Sequence, residues 1–293
     1  MRRLARLFAD RRVAVSAAVL ALLGAAVLIA PVFAAMTGTD SARVDLHHRL
    51  AAPSLAHLLG TDELGRDLLL RLLGGGRISL VVGLAAAIAA AGLGTAIGLV
   101  AGYRGGRVDA VLMRLTDGVI ALPLLPLLVV LAAIDLRKVG LPAWLVQSEA
   151  VSLYRIIALI ALVGWTTVAR LVRGATLSLR AQDFVRAAVA LGAGPARIML
   201  VHILPNLASP IIVATTMSVG GIILLESVLS FLGLGIEPPV ASWGNMLTGA
   251  QETVATAPQL ALCPGLLIFI TVIACNFLGD GLQDALDPRG RRR

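Results

Sequence analysis

The apolar positions of this chain fall into long unbroken runs, not into alternating or heptad patterns. Six runs are long enough for membrane helices, at roughly 13–35, 78–102, 108–134, 153–172, 209–233 and 259–278. A bilayer core of ~30 Å requires about 20 apolar helical residues, so the pattern predicts an all-α membrane protein with six transmembrane helices. Two polar connections are long for such a bundle, one over about 36–77 and one over about 173–208. The organisation expected is an anchor helix with its extra-membrane segment over 1–77, then a five-helix core over 78–293.

Composition agrees with burial in lipid: 58% of residues are hydrophobic, 14% are charged and the mean hydropathy is +0.91. A soluble domain has no core large enough to hide that surface. The first run follows Arg2, Arg3, Arg6, Arg11 and Arg12. It could be a secretory signal cleaved near 32–35, but it is longer than the ~7 to 15 residues of a signal core. An uncleaved anchor is therefore expected.

The net charge of +8 comes from 25 basic residues, all arginine except Lys138, in short clusters between apolar runs. That placement points to lipid headgroups and membrane orientation, not to nucleic acid. Seventeen of the 25 fall on one side: before span 1, around the start of span 3, between spans 4 and 5, and in the tail. Both termini are thus expected on the cytoplasmic side of the plasma (inner) membrane. Tyr154, Trp144 and Trp243 are then expected near the outer boundary and Tyr103 near the inner one.

Several residues inside the runs carry their own expectations. Gly94, Gly98 and Gly102 share one helix face and invite close approach of a second helix. Pro123, Pro126 and Pro264 each remove a backbone donor and predict kinks. Arg114 and Asp117, with Asp109 nearby, have the spacing of an ion pair within one helix. Cys263 and Cys275 lie about 18 Å apart on one helix, too far for a disulfide. His47, His48 and His57 have no regular ligand spacing, so solvated loop histidines are expected and no metal site. Thr61 or Asp62 is placed to cap a short helix running to Arg71. Glu226, deep in span 5, has two readings: it lines a translocation cavity, or it pairs with an arginine of another subunit.

The connection between spans 4 and 5 reads as a short helix, a Gly/Pro turn at 192–195, a second amphipathic piece and a stop at Leu204-Pro205. Phe184, Ala187, Ala188 and Leu191 recur at helical spacing and predict one apolar face with small residues at its centre. Such a face suits a groove on a partner protein or, alternatively, the lipid surface. Arg186-Ala187-Ala188, then Gly192, then Leu204-Pro205 resembles the EAA loop of permeases in ATP-binding-cassette (ABC) importers. In this chain Arg186 replaces that loop's usual Glu, and His202 replaces an apolar residue before the Leu. The resemblance implies a coupling helix that docks on an ATPase subunit. Segments 59–67 and 230–239 further resemble the second permease of dipeptide, oligopeptide and nickel importers, which implies a type I ABC importer permease-like fold.

That resemblance also implies the partners: a homologous first permease, two ABC ATPase subunits and an extracytoplasmic substrate-binding protein. ATP and Mg would reside on the ATPase subunits, because a P-loop needs Gly-Lys-Ser/Thr and Lys138 is flanked by Arg137 and Val139. This chain is therefore expected to be no enzyme and to hold no cofactor. Peptide import is the leading expectation, with nickel or another small solute as alternatives. A self-contained secondary carrier would show two repeated halves and leaves the 181–206 connection without a purpose.

Overall fold

The computed structural model describes residues 10–37, 43–134, 138, 142 and 149–286. Trp144 and the arginines nearest the ends (Arg2, Arg3, Arg6, Arg289, Arg291, Arg292 and Arg293) lie outside them. The described residues are helical apart from turns and one isolated bridge between Thr61 and Asp67. The helices are α1 (Arg11–Thr37), α2 (Leu68–Arg104), α3 (Gly106–Ala121), α4 (Leu124–Ala132), α5 (Glu149–Arg180), α6 (Asp183–Ala190), α7 (Leu204–Phe231) and α8 (Gln259–Leu286).

Five of these helices are long and apolar enough to cross a bilayer: α1, α2, α5, α7 with the turns before it, and α8. The third expected span is broken, with α3 and α4 meeting at 88°. This is sharper than a proline kink, and its cause is local. Pro123 bars Leu122 from helical geometry and leaves it extended at φ −78° and ψ 135°. Pro126 then sits in the first turn of α4, where a missing donor is harmless. Pro264, in contrast, lies inside α8 without ending it.

The second span begins ten residues earlier than its apolar run, and the expected division at residue 77 falls inside α2. The start of α2 is pinned by Leu68 and Leu72, buried with Trp243, Ala257, Leu260 and Ile268. Its cap is Asp67, which accepts from Leu70 N at 2.9 Å, not Thr61 or Asp62. Asp62 instead closes a tight turn, accepting from Leu64 N, Arg66 N and Arg66 Nε at 2.9, 2.9 and 2.7 Å.

The histidines of this outer segment also differ from expectation, because two of them have carboxylate partners. His57 Nδ1 lies 2.9 Å from Asp67 and is largely enclosed, and His48 Nδ1 lies 2.8 Å from Asp45. The His48 hydrogen bond holds the Asp45 carboxyl below its ordinary range. Trp243 is no interfacial ring either. It is 1% exposed, and its indole N–H donates to Leu72 O at 2.9 Å. Tyr154 is exposed, and Tyr103 lies under the Arg180 guanidinium, 5.8 Å from ring centre.

The bundle is held at its centre by α2 against α5. A methyl group at Gly94 would come within 2.5 Å of Trp165 O, and one at Gly102 within 2.7 Å of Thr176 Cβ. The three-glycine face therefore does bring two backbones together, as its spacing predicts. Around this contact Val82, Ala86, Leu128, Ile156, Ile160 and Leu229 form a buried apolar core.

Candidate functional site

The connection between α5 and α7 is built as a rigid platform. α6 ends in a Schellman arrangement: Gly192 N–H donates to Val189 O at 2.9 Å and Ala193 N–H to Ala188 O at 3.0 Å. That closure needs a left-handed residue, and Gly192 supplies it with φ +81°. Gly194 and Pro195 start the next turn.

Residues Ile198–Ile203 then form a π-helical turn before α7. In it Leu204 N–H reaches back five residues to Met199 O. The wider turn makes room for the ring of Pro205, which has no N–H to give and would crowd an ordinary α-turn. Asn206 Nδ2 donates to His202 O at 2.7 Å, adding a side-chain bond beside the proline. His202 itself is half-buried and Pro205 is exposed.

The face of α6 that packs inward is not the one that spacing alone suggests. Val185 and Ala188 are 2% and 7% exposed. Val185 packs with Ile198, Ile203 and Leu207 against Leu99, Val168 and Val172 of α2 and α5, and Leu204 is half-buried against the same cluster. Phe184, Ala187 and Leu191 point outward with Arg186, and Leu191 is 89% exposed. Ala188 thus belongs to the anchor, whereas Phe184, Ala187 and Leu191 form the free apolar stripe. Val189, missed by sequence reasoning, adds an exposed apolar side chain next to it. Arg186 has only a long 3.8 Å contact with Asp183.

Glu226 is fully buried within the chain. Its oxygens accept from Ser230 Oγ at 2.7 Å and from Ser79 Oγ at 3.2 Å. Ser79 Oγ in turn accepts from Trp243 N, and Ser230 Oγ from Ile236 N, each at 3.1 Å. The carboxyl thereby ties α7 to α2 and to the outer loop over 232–249. Both sequence expectations, a cavity wall and a pair with another subunit's arginine, need an accessible carboxyl, and this one is enclosed. Its serine partners are far apart in sequence or unremarkable in type, so nothing in the local pattern announces them.

The charges at the inner end of α3 are also partnered differently. Asp117 meets Arg170 at 2.5 Å, and Asp109 meets Arg173 at 2.5 Å. The expected pair of Arg114 with Asp117 is replaced by bonds between helices, because α5 lies alongside and brings the guanidinium groups of Arg170 and Arg173 up to the two carboxylates.

Comparison with known proteins agrees with this architecture. Residues 94–292 match the family described as the inner-membrane component of binding-protein-dependent transport systems. An oligopeptide transport system permease, OppC of Haemophilus influenzae, is 36% identical over 98% of this chain and 87% of its own length. A dipeptide transport system permease, DppC of Alkalihalophilus pseudofirmus, is 38% identical over 90% and 82%. A glutathione transport system permease, GsiD of Pectobacterium atrosepticum, is 42% identical over 81% and 74%. This chain belongs to that family, the permeases of ABC importers. It is a multi-pass inner-membrane subunit of such an importer.

Proposed function

We propose that this chain is the second permease of a peptide importer, forming half of its translocation path and receiving the ATPase stroke through α6. The similar permeases of oligopeptide, dipeptide and glutathione systems support peptides as the substrate class. The observation that carries the coupling assignment is the division of α6 into two faces. Val185 and Ala188 anchor it to the bundle, while Leu191, 89% exposed, stands beside Phe184 and Ala187 with nothing among the described residues to cover them. An apolar stripe of that kind fits a groove on a soluble partner.

In this reading ATP and Mg bind two separate ATPase subunits, the path is completed by a homologous first permease, and an extracytoplasmic binding protein delivers the substrate. Coupling to ATPases requires α6 on the cytoplasmic face. The arginines of the 170–197 region support that side for α6, and with it for both chain termini.

The test is Gly192→Trp. Apart from its chain neighbours, no atom of the described residues lies within 4 Å of a Cβ added at Gly192, so a substituent there starts into open space, on the side the docking partner would occupy. The left-handed backbone adds strain of about 1–2 kcal/mol, too little to unfold an anchored bundle. Membrane insertion should persist and uptake should be lost. Undiminished uptake would remove the coupling assignment.

A further inference from the structure

Two arginine–aspartate pairs join α3 to α5, and they differ in kind. Arg173 holds Asp109 by two bonds, Nε to Oδ1 at 2.5 Å and Nη2 to Oδ2 at 2.6 Å, in a partly buried setting. Arg170 reaches Asp117 by one bond, Nη2 to Oδ1 at 2.5 Å, and the two side chains are 51% and 56% exposed. Among the described residues neither has a second hydrogen-bond partner. Most of the guanidinium donors of Arg170 and one oxygen of Asp117 therefore stay open.

An exposed ion pair on membrane helices does not face hydrocarbon, where ionised side chains are strongly disfavoured. It faces water, lipid headgroups or another protein. Arg170 lines a groove of about 780 Å³ walled by α3, α4, α5 and α7. Gly164 and Thr167 stand on the same face of α5 as Arg170, and Gly221 of α7 lies opposite. The Thr167 side chain is exposed and has no hydrogen-bond partner among the described residues. The volume is in the range of sites that enclose small organic ligands. The Thr166 and Ser218 hydroxyls in its lining donate to Val163 O and Ala214 O of their own helices, so the available polar groups are the Arg170 guanidinium and the Thr167 hydroxyl, set among apolar walls.

We propose that this groove receives the transported peptide and that Arg170 binds its C-terminal carboxylate. The bond exchanges away from Asp117, which positions the guanidinium while the groove is empty. The inference rests on the peptide-import reading above. Charge complementarity selects the occupant. A peptide brings a carboxylate that can use the open fork of Arg170 in bidentate fashion, which a single bond to Asp117 does not. The neighbouring Arg173, already bidentate to Asp109, is left to join the helices.

The test uses the whole importer with its ATPases and binding protein in proteoliposomes, and a panel of short alanine peptides at saturating binding protein. Arg170→Gln should lower peptide uptake roughly ten- to hundredfold, the scale of a lost charge-assisted hydrogen bond. Arg170→Lys should restore part of it, and Asp117→Asn should lose far less than Arg170→Gln. In a Cys263→Ala, Cys275→Ala background, Thr167→Cys should react with a water-soluble thiol reagent, and trialanine should slow that reaction. Equal losses for Arg170→Gln and Asp117→Asn, with reduced recovery of the complex, would show a pair that only holds helices or meets the first permease. An unreactive Thr167→Cys would show the groove covered by that permease and overturn the proposal. If wild-type importer takes up no peptide of the panel while its ATPase responds to the binding protein, the peptide-import reading itself fails. That result is distinct from a failure at Arg170 alone.

Discussion

Replacing Glu226 with glutamine isolates one buried carboxyl as the tie between α7, α2 and the outer loop. The wild-type carboxyl offers an acceptor to each of two hydroxyls, Ser79 Oγ at 3.2 Å and Ser230 Oγ at 2.7 Å. Each hydroxyl already accepts a backbone N–H, from Trp243 and Ile236, so its own proton has to go to Glu226. Glutamine keeps one acceptor and turns the other into a donor. One serine proton is then left facing an N–H, in a site where Glu226 is 0% exposed.

Leaving a buried polar group unpaired costs about 1–3 kcal/mol. Glu226→Ala loses both bonds and opens a cavity, and should cost more. The assay is thermal unfolding of the detergent-solubilised complex, with Trp243 as the optical reporter in a Trp144→Phe, Trp165→Phe background. Glu226→Gln should lower the midpoint and alter Trp243 emission, and Ser79→Ala should do the same through the shared relay. A wild-type midpoint and unchanged emission would refute the tie. Loss of peptide discrimination with wild-type stability would return Glu226 to a cavity role.

Two other outcomes follow from the bundle itself. Gly98→Leu should destabilise the chain by several kcal/mol, read as loss of recoverable protein, because its side chain would meet the Ala169 carbonyl and lie within 2.9 Å of Val172 Cβ. For orientation, a cysteine at exposed Ala181 should resist an impermeant thiol reagent applied outside intact cells, while one at exposed Ser54 should react; labelling at Ala181 would overturn the assigned topology.

The parts of this fold that depend on one helix and its solvent were legible in the sequence. Apolar run length placed the long helices, glycine spacing placed the α2–α5 contact, and the Gly192 turn appeared where glycine and proline demanded it. The sequence did not reveal what depends on a neighbour across the bundle. Asp117 and Arg114 have ideal spacing, yet Asp117 bonds Arg170 on another helix. Ala188 fits the outward stripe by type, yet it is buried on the same side of α6 as Val185. Glu226 reads in the sequence as a cavity wall or half of a pair with another subunit because its four-residue neighbour Ser230 and distant Ser79 carry no pattern of their own. The break at Pro123 was readable as a kink, but not its 88° angle, which follows from the extended Leu122 before the proline, nor the packing of Leu128 of α4 into the central core.

These placements connect the exposed stripe of α6 to the groove through one helix. α5 runs from Glu149 to Arg180 and leads into α6 across only two residues. The same helix carries Arg170 and Thr167 at the groove and Val168 and Val172 in the cluster that anchors α6. At Gly94 and Gly102 it presses on α2 too closely to slide without a clash. A packed core of this kind transmits displacement instead of absorbing it. A push on Phe184 and Leu191 is therefore carried by α6 into α2 and α5 together, as a rigid body. The weaker link is between α5 and α3, where Arg170 and Asp117 share one exposed bond. At that point α3 is held to α5 only loosely, while the bidentate Arg173–Asp109 pair nearer α6 and Leu128 of α4 in the central core hold the rest of the groove wall in place.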